Sequence, residues 1–307
     1  MPRPPPSAPG PHRAGFVSLV GRPNVGKSSL LNRLVGEKLS ITSPRPQTTR
    51  NRITGIVTLP DAQLIFVDTP GLHQAKGKLD RVMLGTVQRA LEDVDVVCLV
   101  AEATERAHEL DENVLKALSP VQGLVFCCLN KADLVKPKTR ILPLIEAYQA
   151  RYPFAEILPI SAVDGTNVER LKDLITAALP ESPPFFPAEV TTDQPETFFV
   201  AEIVREKIFR LTHEEIPYAC AVRVGELSER GGGGLYIRAS IFVEQDSQKG
   251  IVIGKGGAML KAIGSAARAE LEAFFGVKVF LDLRVEVRRQ WRRDERALKE
   301  FGFMLIS

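Results

Sequence analysis

Gly21-Arg22-Pro23-Asn24-Val25-Gly26-Lys27-Ser28 fits the pattern G-x-x-x-x-G-K-[ST], and the residues on either side decide what it means. An apolar strand-like run (16–20) leads in and a helical pattern (28–34) leads out, the context a phosphate-binding loop requires. Glycine at 21 and 26 lets consecutive N–H groups turn inward around an anion. Ser28 and Ser29 open the helix, whose N-terminus adds partial positive charge at the same place. Lys27 is placed to reach β- and γ-phosphate oxygens, and the Ser28 hydroxyl to ligate Mg2+. Arg22, Pro23, Asn24 and Val25 form the body of the loop.

Three further runs follow in order. Asp68-Thr69-Pro70-Gly71 ends an apolar run (64–67). Asp68 there suits an acid that faces Mg2+ through a water, and Gly71 can offer its N–H to the γ-phosphate. Asn130-Lys131-Ala132-Asp133 follows the apolar run 124–129. A carboxylate at Asp133 accepts two hydrogen bonds from the guanine N1–H and N2–H2 edge. Adenine has no such donor pair and would leave a buried carboxylate unmatched. Asn130 is expected to brace the loop and face N7, the Lys131 stem to cover the ring, and Ala162 N–H of Ser161-Ala162 to donate to O6. GTP and GDP are the implied ligands. Between the first two runs lies Gln47-Thr48-Thr49-Arg50, where a threonine hydroxyl can complete Mg2+ only while GTP is bound. Thr48 and Thr49 are both candidates, with Thr49 favoured; an ordinary exposed loop is the plain alternative. Loss of the γ-phosphate would release residues 42–52 and 68–78.

Around these motifs, strand-like runs at 16–20, 53–59, 64–67, 96–101, 124–129 and 157–160 alternate with helical patterns at 28–34, 79–91, 110–118 and 168–179. Alternation of this kind predicts an α/β domain, a mostly parallel sheet with helices on both faces. Its strand ends are where such sheets place ligands. Four prolines in the eight residues 180–187 cannot continue a helix or a central strand, which marks a linker (181–190). The expected domains are therefore 15–180 and 191–307, behind a disordered proline-rich arm (1–14). A length of 307 residues suits two domains. The four cysteines show no C-x-x-C spacing and read as buried thiols, which makes the cytoplasm the default compartment. No apolar run approaches the roughly 20 residues of a membrane span.

Beyond the linker the pattern changes to helix (198–211), strand (219–227), strand (235–243), a helical stretch (250–275), strand (277–287) and a basic helix (288–300). This is an α+β order. Ile253-Gly254-Lys255-Gly256-Gly257 interrupts the helical stretch as the G-x-x-G loop of a KH module, which clamps about four nucleotides of single-stranded RNA. Two strands before the loop and one after it match the type II fold. The net charge of +3 is too small to announce a nucleic-acid partner, and from residue 188 onward 18 Lys plus Arg balance 18 Asp plus Glu. Any RNA site therefore depends on local placement, and Lys255, Lys261, Arg288 and Arg289 lie in the half where basic residues are in excess. Part of 288–296 also reads as a solvated helix face, and Trp291 with Leu298 as a packed stripe.

The G-R-P-N-V-G-K-S loop, Q-T-T-R, D-T-P-G-L, N-K-A-D and S-A resemble the translation-factor-related branch of GTPases. Joined by a proline-rich linker to a type II KH domain, they resemble the Era family over nearly the whole chain. That resemblance implies GTP hydrolysis with Mg2+, binding near the 3′ end of 16S rRNA, and a role in assembling the 30S subunit. It implies a monomer and a peripheral contact with the inner membrane face as further expectations. It also implies a catalytic set of Lys27, Thr49, Asp68 and Gly71 with Asn24, the last holding K+ beside the phosphates or simply shaping the turn. Leu72 stands where many small GTPases carry a water-orienting glutamine, so slow intrinsic turnover is expected. Two other readings stay open on sequence alone: an RNA-binding protein with GTP as a static structural ligand, and a membrane-associated cell-cycle GTPase.

Overall fold

The computed structural model describes residues 12–72, 75, 77–92, 94–104 and 112–303. Residues 1–11 of the expected arm therefore lie outside the described residues, as do 73, 74 and 76 of the expected switch region.

The first unit is built on a six-stranded sheet. Its elements in chain order are β1 (Arg13–Val20), α1 (Lys27–Val35), β2 (Ile53–Thr58), β3 (Ala62–Asp68), α2 (Lys78–Glu92), β4 (Val96–Glu102), α3 (Glu112–Ala117), β5 (Leu124–Asn130), α4 (Leu142–Gln149), β6 (Glu156–Pro159) and α5 (Val168–Ala178). The strand order is β2-β3-β1-β4-β5-β6. Only the β2–β3 pair is antiparallel; the others run parallel. Every residue of β3 is buried, as is all of β4 except Glu102. Strands covered on both faces must be apolar on both, which is why these runs are continuous and do not alternate. One half of the core gathers Val97, Leu99, Cys127 and Leu129 against Val87, Leu115, Leu144 and Tyr148.

The sequence pattern missed α4, whose Pro143 is its second residue, within the first turn where a missing N–H is tolerated. β1 begins at Arg13, so the last two residues of the expected arm belong to the sheet. The proline-rich segment is no free tether either. Phe185 and Phe186 donate their backbone N–H groups to Gln63 Oε1 at 2.7 and 2.9 Å. Thr191 accepts from Ile56 N–H at 2.8 Å, and Thr192 Oγ1 donates to Thr54 O at 2.7 Å. Extended backbone that cannot become helix pairs instead with the open edge of the sheet.

The second unit contains α6 (Glu196–Leu211), α7 (Ile216–Ala219), β7 (Ala221–Arg230), β8 (Gly234–Val243), α8 (Asp246–Ile253), α9 (Ala258–Phe275), β9 (Val279–Val287) and α10 (Glu295–Glu300). The sheet order is β7-β8-β9, with β7–β8 antiparallel and β8–β9 parallel. Val204, Ile208, Ile237, Ile241, Ile263 and Leu271 form its core between the sheet and α6 and α9. Trp291 is fully buried, donates Nε1–H to Ala219 O at 2.8 Å, and packs on Phe301, as the stripe reading expected. The basic helix expected over 288–300 shrinks to α10. Gln290 takes a left-handed φ of 52° and Trp291–Arg293 is a single 3-10 turn, because seating the indole breaks the helix there.

One finding departs from the linear division into domains. Leu39–Asn51 and His73–Thr86 cluster with Gln194–Ser307, apart from the remainder of the first unit. Thr42 N–H donates to Glu206 Oε1 at 3.2 Å, and Arg205 donates to Thr48 O. Leu79, Val82 and Met83 share a core with Phe242, Trp291 and Leu298.

Candidate nucleotide and RNA sites

The loop between β1 and α1 is held by close approaches that exclude side chains. A Cβ on Gly21, whose φ is +148°, would lie 2.1 Å from Val100 O; one on Gly26, φ +98°, would lie 2.3 Å from Asn130 Nδ2. Asn24 also takes a left-handed φ of 66°. Lys27 is buried and folds over the loop, donating to Gly21 O at 3.0 Å and Arg22 O at 2.9 Å. Burial lowers its pKa to about 8, against the opposing pull of the Asp68 carboxylate.

Ser28 Oγ donates to Asp68 Oδ2 at 2.7 Å, and Asp68 is fully buried at the end of β3. A hydroxyl and a carboxylate side by side are the hard oxygen donors that Mg2+ takes when phosphate and water supply its other ligands. Among the described residues there is no cluster of three or more His, Cys, Asp or Glu that could hold a metal ion. Thr69 Oγ1 donates to Leu19 O at 2.8 Å, and Leu72 N–H to Gly21 O at 3.0 Å, so the Asp68–Leu72 loop is tied to the phosphate loop. Packing excludes a side chain at Gly71, where a Cβ would meet Pro23 N at 2.6 Å. The Leu72 side chain packs partly buried against the core.

Asn130 joins the base-reading runs to the phosphate loop. Its Nδ2 donates to Val25 O at 2.8 Å and its Oδ1 accepts from Ala162 N–H at 2.9 Å, with the residue only 2% exposed. The N–H of Ala162, expected to face O6, here closes the Asn130 bridge, which satisfies both ends of a buried amide. Asp133 lies in the 3-10 turn Ala132–Leu134, which Ala132 N–H fastens to Ile160 O at 3.0 Å. Asp133 Oδ1 is buried with no hydrogen-bond partner among the described residues, an acceptor matched to the N–H edge of guanine. Ser161 is fully buried, and its Oγ accepts from Asp164 N–H at 3.2 Å.

The sequence reading overlooked Arg33 and Glu102. Arg33, on α1, donates Nε–H to Ala162 O at 3.1 Å and caps the same loop at Val163 O. Glu102 pairs with Lys131 and so sets the direction of the stem expected over the base. Neither carries a motif signal; only the fold brings them to the site. Thr49 is buried and groups with the second unit beside Thr48, whose Oγ1 donates to Arg45 O at 2.8 Å. Arg50 donates to the carbonyls of Cys220, Pro217 and Tyr218 at 2.8, 3.0 and 3.0 Å.

In the KH-like unit, α8 ends at Gly254 and α9 starts after Gly257. Gly254 is packed, since a Cβ there would lie 2.8 Å from Met259 N. Gly256 and Gly257, at φ +59° and +81°, face open space. Beside them α9 and β9 line a groove of about 630 Å3, from Gly257, Leu260 and Lys261 to Leu281 and Leu283. Among the described residues Lys255, Lys261, Arg268 and Lys278 have no ion-pair partner. Arg288 differs: it is spent on Glu300 and on Asp294 at 3.7 Å, and its pKa is raised by the bond to Glu300. Arg289 is 82% exposed, with Asp246 3.7 Å away. The groove's positive charge therefore comes from α9 and the G-x-x-G loop, not from Arg288.

No helix among the described residues is long and apolar enough to cross a membrane. Residues 16–131 match the family model described as 50S ribosome-binding GTPase, and residues 215–292 match the KH domain. The GTPase Era of Geobacter metallireducens is 53% identical, over 95% of this chain and 98% of its own. That of Lacticaseibacillus paracasei is 49% identical, over 95% and 97%. A solved structure of Era with MgGDPNP and nucleotides 1506–1542 of 16S ribosomal RNA superposes with a TM-score of 0.92, at 40% identity, over 96% of this chain and 100% of that one. An Aquifex aeolicus Era variant bound to GDP·AlF4− gives 0.92, also at 40% identity, over 95% and 100%.

Proposed function

Because this chain belongs to the Era family of GTPases, we propose that GTP binding and hydrolysis in its first unit set the affinity of its KH unit for single-stranded rRNA near the 3′ end of 16S rRNA. By that switching it assists assembly of the 30S ribosomal subunit. Lys27 and the N–H groups of the Gly21–Ser28 loop bind the phosphates, and Ser28 and Asp68 hold Mg2+, which neutralises phosphate charge when bound. Gly71 N–H positions the γ-phosphate, and Asp133 selects guanine. Thr49 joins the Mg2+ shell in the GTP state. Leu72 cannot orient a water, so turnover is slow, and K+ beside Asn24 accelerates it.

The observation that carries the coupling is Arg50. The residue after the candidate switch threonine is bonded to three carbonyls at and just beyond α7, so a movement of that segment acts directly on the KH unit. A ligand shifts such an equilibrium only through differential affinity for the two states. Measuring affinity for the 1506–1542 RNA segment with GDPNP, with GDP and without nucleotide tests it. Equal affinity in all three removes the switch. Gly256→Asp places a carboxylate at the phosphate-clamping loop, where there is space for it, and is expected to abolish RNA binding with GTP turnover intact. Phosphate release in K+ and in Na+ separates turnover from a static GTP ligand and tests the role of Asn24. On this reading the protein acts as a cytoplasmic monomer, reaching the inner membrane face only peripherally.

A further inference from the structure

The face of the β7-β8-β9 sheet turned away from α6 and α9 carries an aromatic pair, one ring of which reaches the rim of the groove. Tyr236 and Phe280 are register partners on β8 and β9, where alternation puts both on the side opposite the core residues Ile237 and Val279. Their rings stack at a centroid distance of 5.7 Å and an interplanar angle of 20°. Phe280 is 53% exposed, which is unusual for so large an apolar side chain. The Arg230 guanidinium, at the end of β7, lies 4.7 Å from the Phe280 centroid and 5.6 Å from that of Tyr236. Tyr236 Oη donates to Asp282 Oδ2 at 3.4 Å.

Phe280 is also where two depressions meet. It lines the groove with Gly257, Lys261 and Arg268, and it lines a second cleft of about 460 Å3 with Arg230, Arg268 and Lys278. The second cleft opens beneath the glycine turn between β7 and β8. Gly232 and Gly233 take positive φ of +91° and +78°, which favours glycine there, and side chains at Gly231, Gly232 and Gly233 would meet nothing within 4 Å, so this turn leaves the mouth open. Among the described residues neither Arg230 nor Lys278 has an ion-pair partner, while Glu272, the acid of this cleft, accepts from Val279 N–H at 3.2 Å. Arg238, also on the open face, is neutralised by Glu226 at 2.8 Å.

We propose that Phe280, Tyr236 and Arg230 form a stacking platform for a base of the bound RNA that lies outside the four nucleotides clamped by the G-x-x-G groove. A nucleotide offers a flat base and an anionic phosphate, and this corner offers a flat aromatic face beside unpaired cations. Arg230 contributes twice, since a guanidinium plane stacks on a base and its charge draws the phosphate. This inference rests on the RNA-binding reading above and extends it to a second subsite.

The test uses the full-length protein with GDPNP and the 1506–1542 RNA segment, carrying a single abasic nucleotide at each position in turn. Stacking of a base on an aromatic side chain predicts a loss of roughly fivefold to 150-fold on removing that base. In wild-type protein one set of sensitive positions is expected to depend on Gly256. At least one further position, outside that set, is expected to lose its sensitivity in Phe280→Ala. Phe280→Leu keeps bulk and strand but removes the aromatic face, so it serves if the alanine variant folds poorly, and it is expected to give the same profile. An unchanged abasic profile in Phe280→Leu, with wild-type affinity or with a uniform loss, overturns the platform and leaves the ring pair a cross-strand packing contact. Failure of wild-type protein to bind the unmodified RNA at all would instead refute the underlying reading.

Discussion

Asn130→Ala removes one side chain and two hydrogen bonds. In the wild type, Val25 O receives a bond of 2.8 Å and Ala162 N–H gives one of 2.9 Å, both to a side chain that is 2% exposed. Alanine leaves a carbonyl and an N–H unpaired where water has little access, at about 1–3 kcal/mol each, so about 2–6 kcal/mol in all. The cost divides between states. What is lost already in the empty protein appears as a lower melting temperature. What is lost when the phosphate loop and the Ser161–Ala162 loop must be held together around the nucleotide appears as weaker binding. If only a quarter to a third of the range reaches the complex, the GDP dissociation constant still rises by roughly twofold to thirtyfold, at 1.4 kcal/mol per factor of ten. Titration calorimetry with GDP and thermal unfolding with and without it measure the two parts. Asn130→Asp is the isosteric control: it keeps the acceptor for Ala162 N–H but sets an oxygen against Val25 O, so it is expected to bind no better than the alanine variant. Wild-type GDP affinity and melting temperature in Asn130→Ala, or full rescue by Asn130→Asp, would refute the bridge.

Asp133→Asn inverts the groups facing the base edge; it is expected to weaken GTP at least tenfold and strengthen xanthosine triphosphate, and competition binding that still favours GTP over it would sink the assignment. Lys27 has its pKa lowered to about 8 in the empty site, while bound phosphate favours its charged form. Nucleotide affinity is therefore expected to hold steady below pH 8 and to fall above it, with calorimetric uptake of close to one proton near pH 9 and almost none at pH 7; Lys27→Met should abolish that uptake. The sign follows from linkage, because the empty protein above pH 8 carries fewer protons than the complex. Arg50→Met deletes the bonds to Pro217, Tyr218 and Cys220 carbonyls. It is expected to cost at least about 1.5–3 kcal/mol of stability and to bring the RNA affinities of the GDPNP and GDP states together, with GDP binding unchanged; a preserved difference between those states would separate the segment from the switch.

Local chemistry settles much of this protein from its sequence. A phosphate loop is legible because glycine, lysine and serine at fixed spacing between a strand and a helix leave few alternatives, and Gly21, Gly26 and Gly71 each meet a neighbour that no Cβ could share. The sheet was legible because buried parallel strands must be apolar throughout, and the G-x-x-G loop because Gly254, Gly256 and Gly257 all take positive φ, which favours glycine. Helix α4 was not, since prolines at 137 and 143 mask its start, and the basic helix was overextended because charge periodicity says nothing of where Trp291 must be seated.

What sequence order could not supply were partnerships between residues far apart in the chain. Arg33 and Glu102 reach the base-reading loops only through folding, and Ala162 gives its N–H to Asn130, 32 residues away. Likewise Arg50 sits among motifs of the first domain yet spends its charge on carbonyls some 170 residues on. The same holds for the stack of Phe280 on Tyr236, which follows from the register of two strands. A motif records what one stretch of backbone can bind. Which buried donors and acceptors satisfy one another is fixed only when desolvation forces each to find a partner in the folded chain.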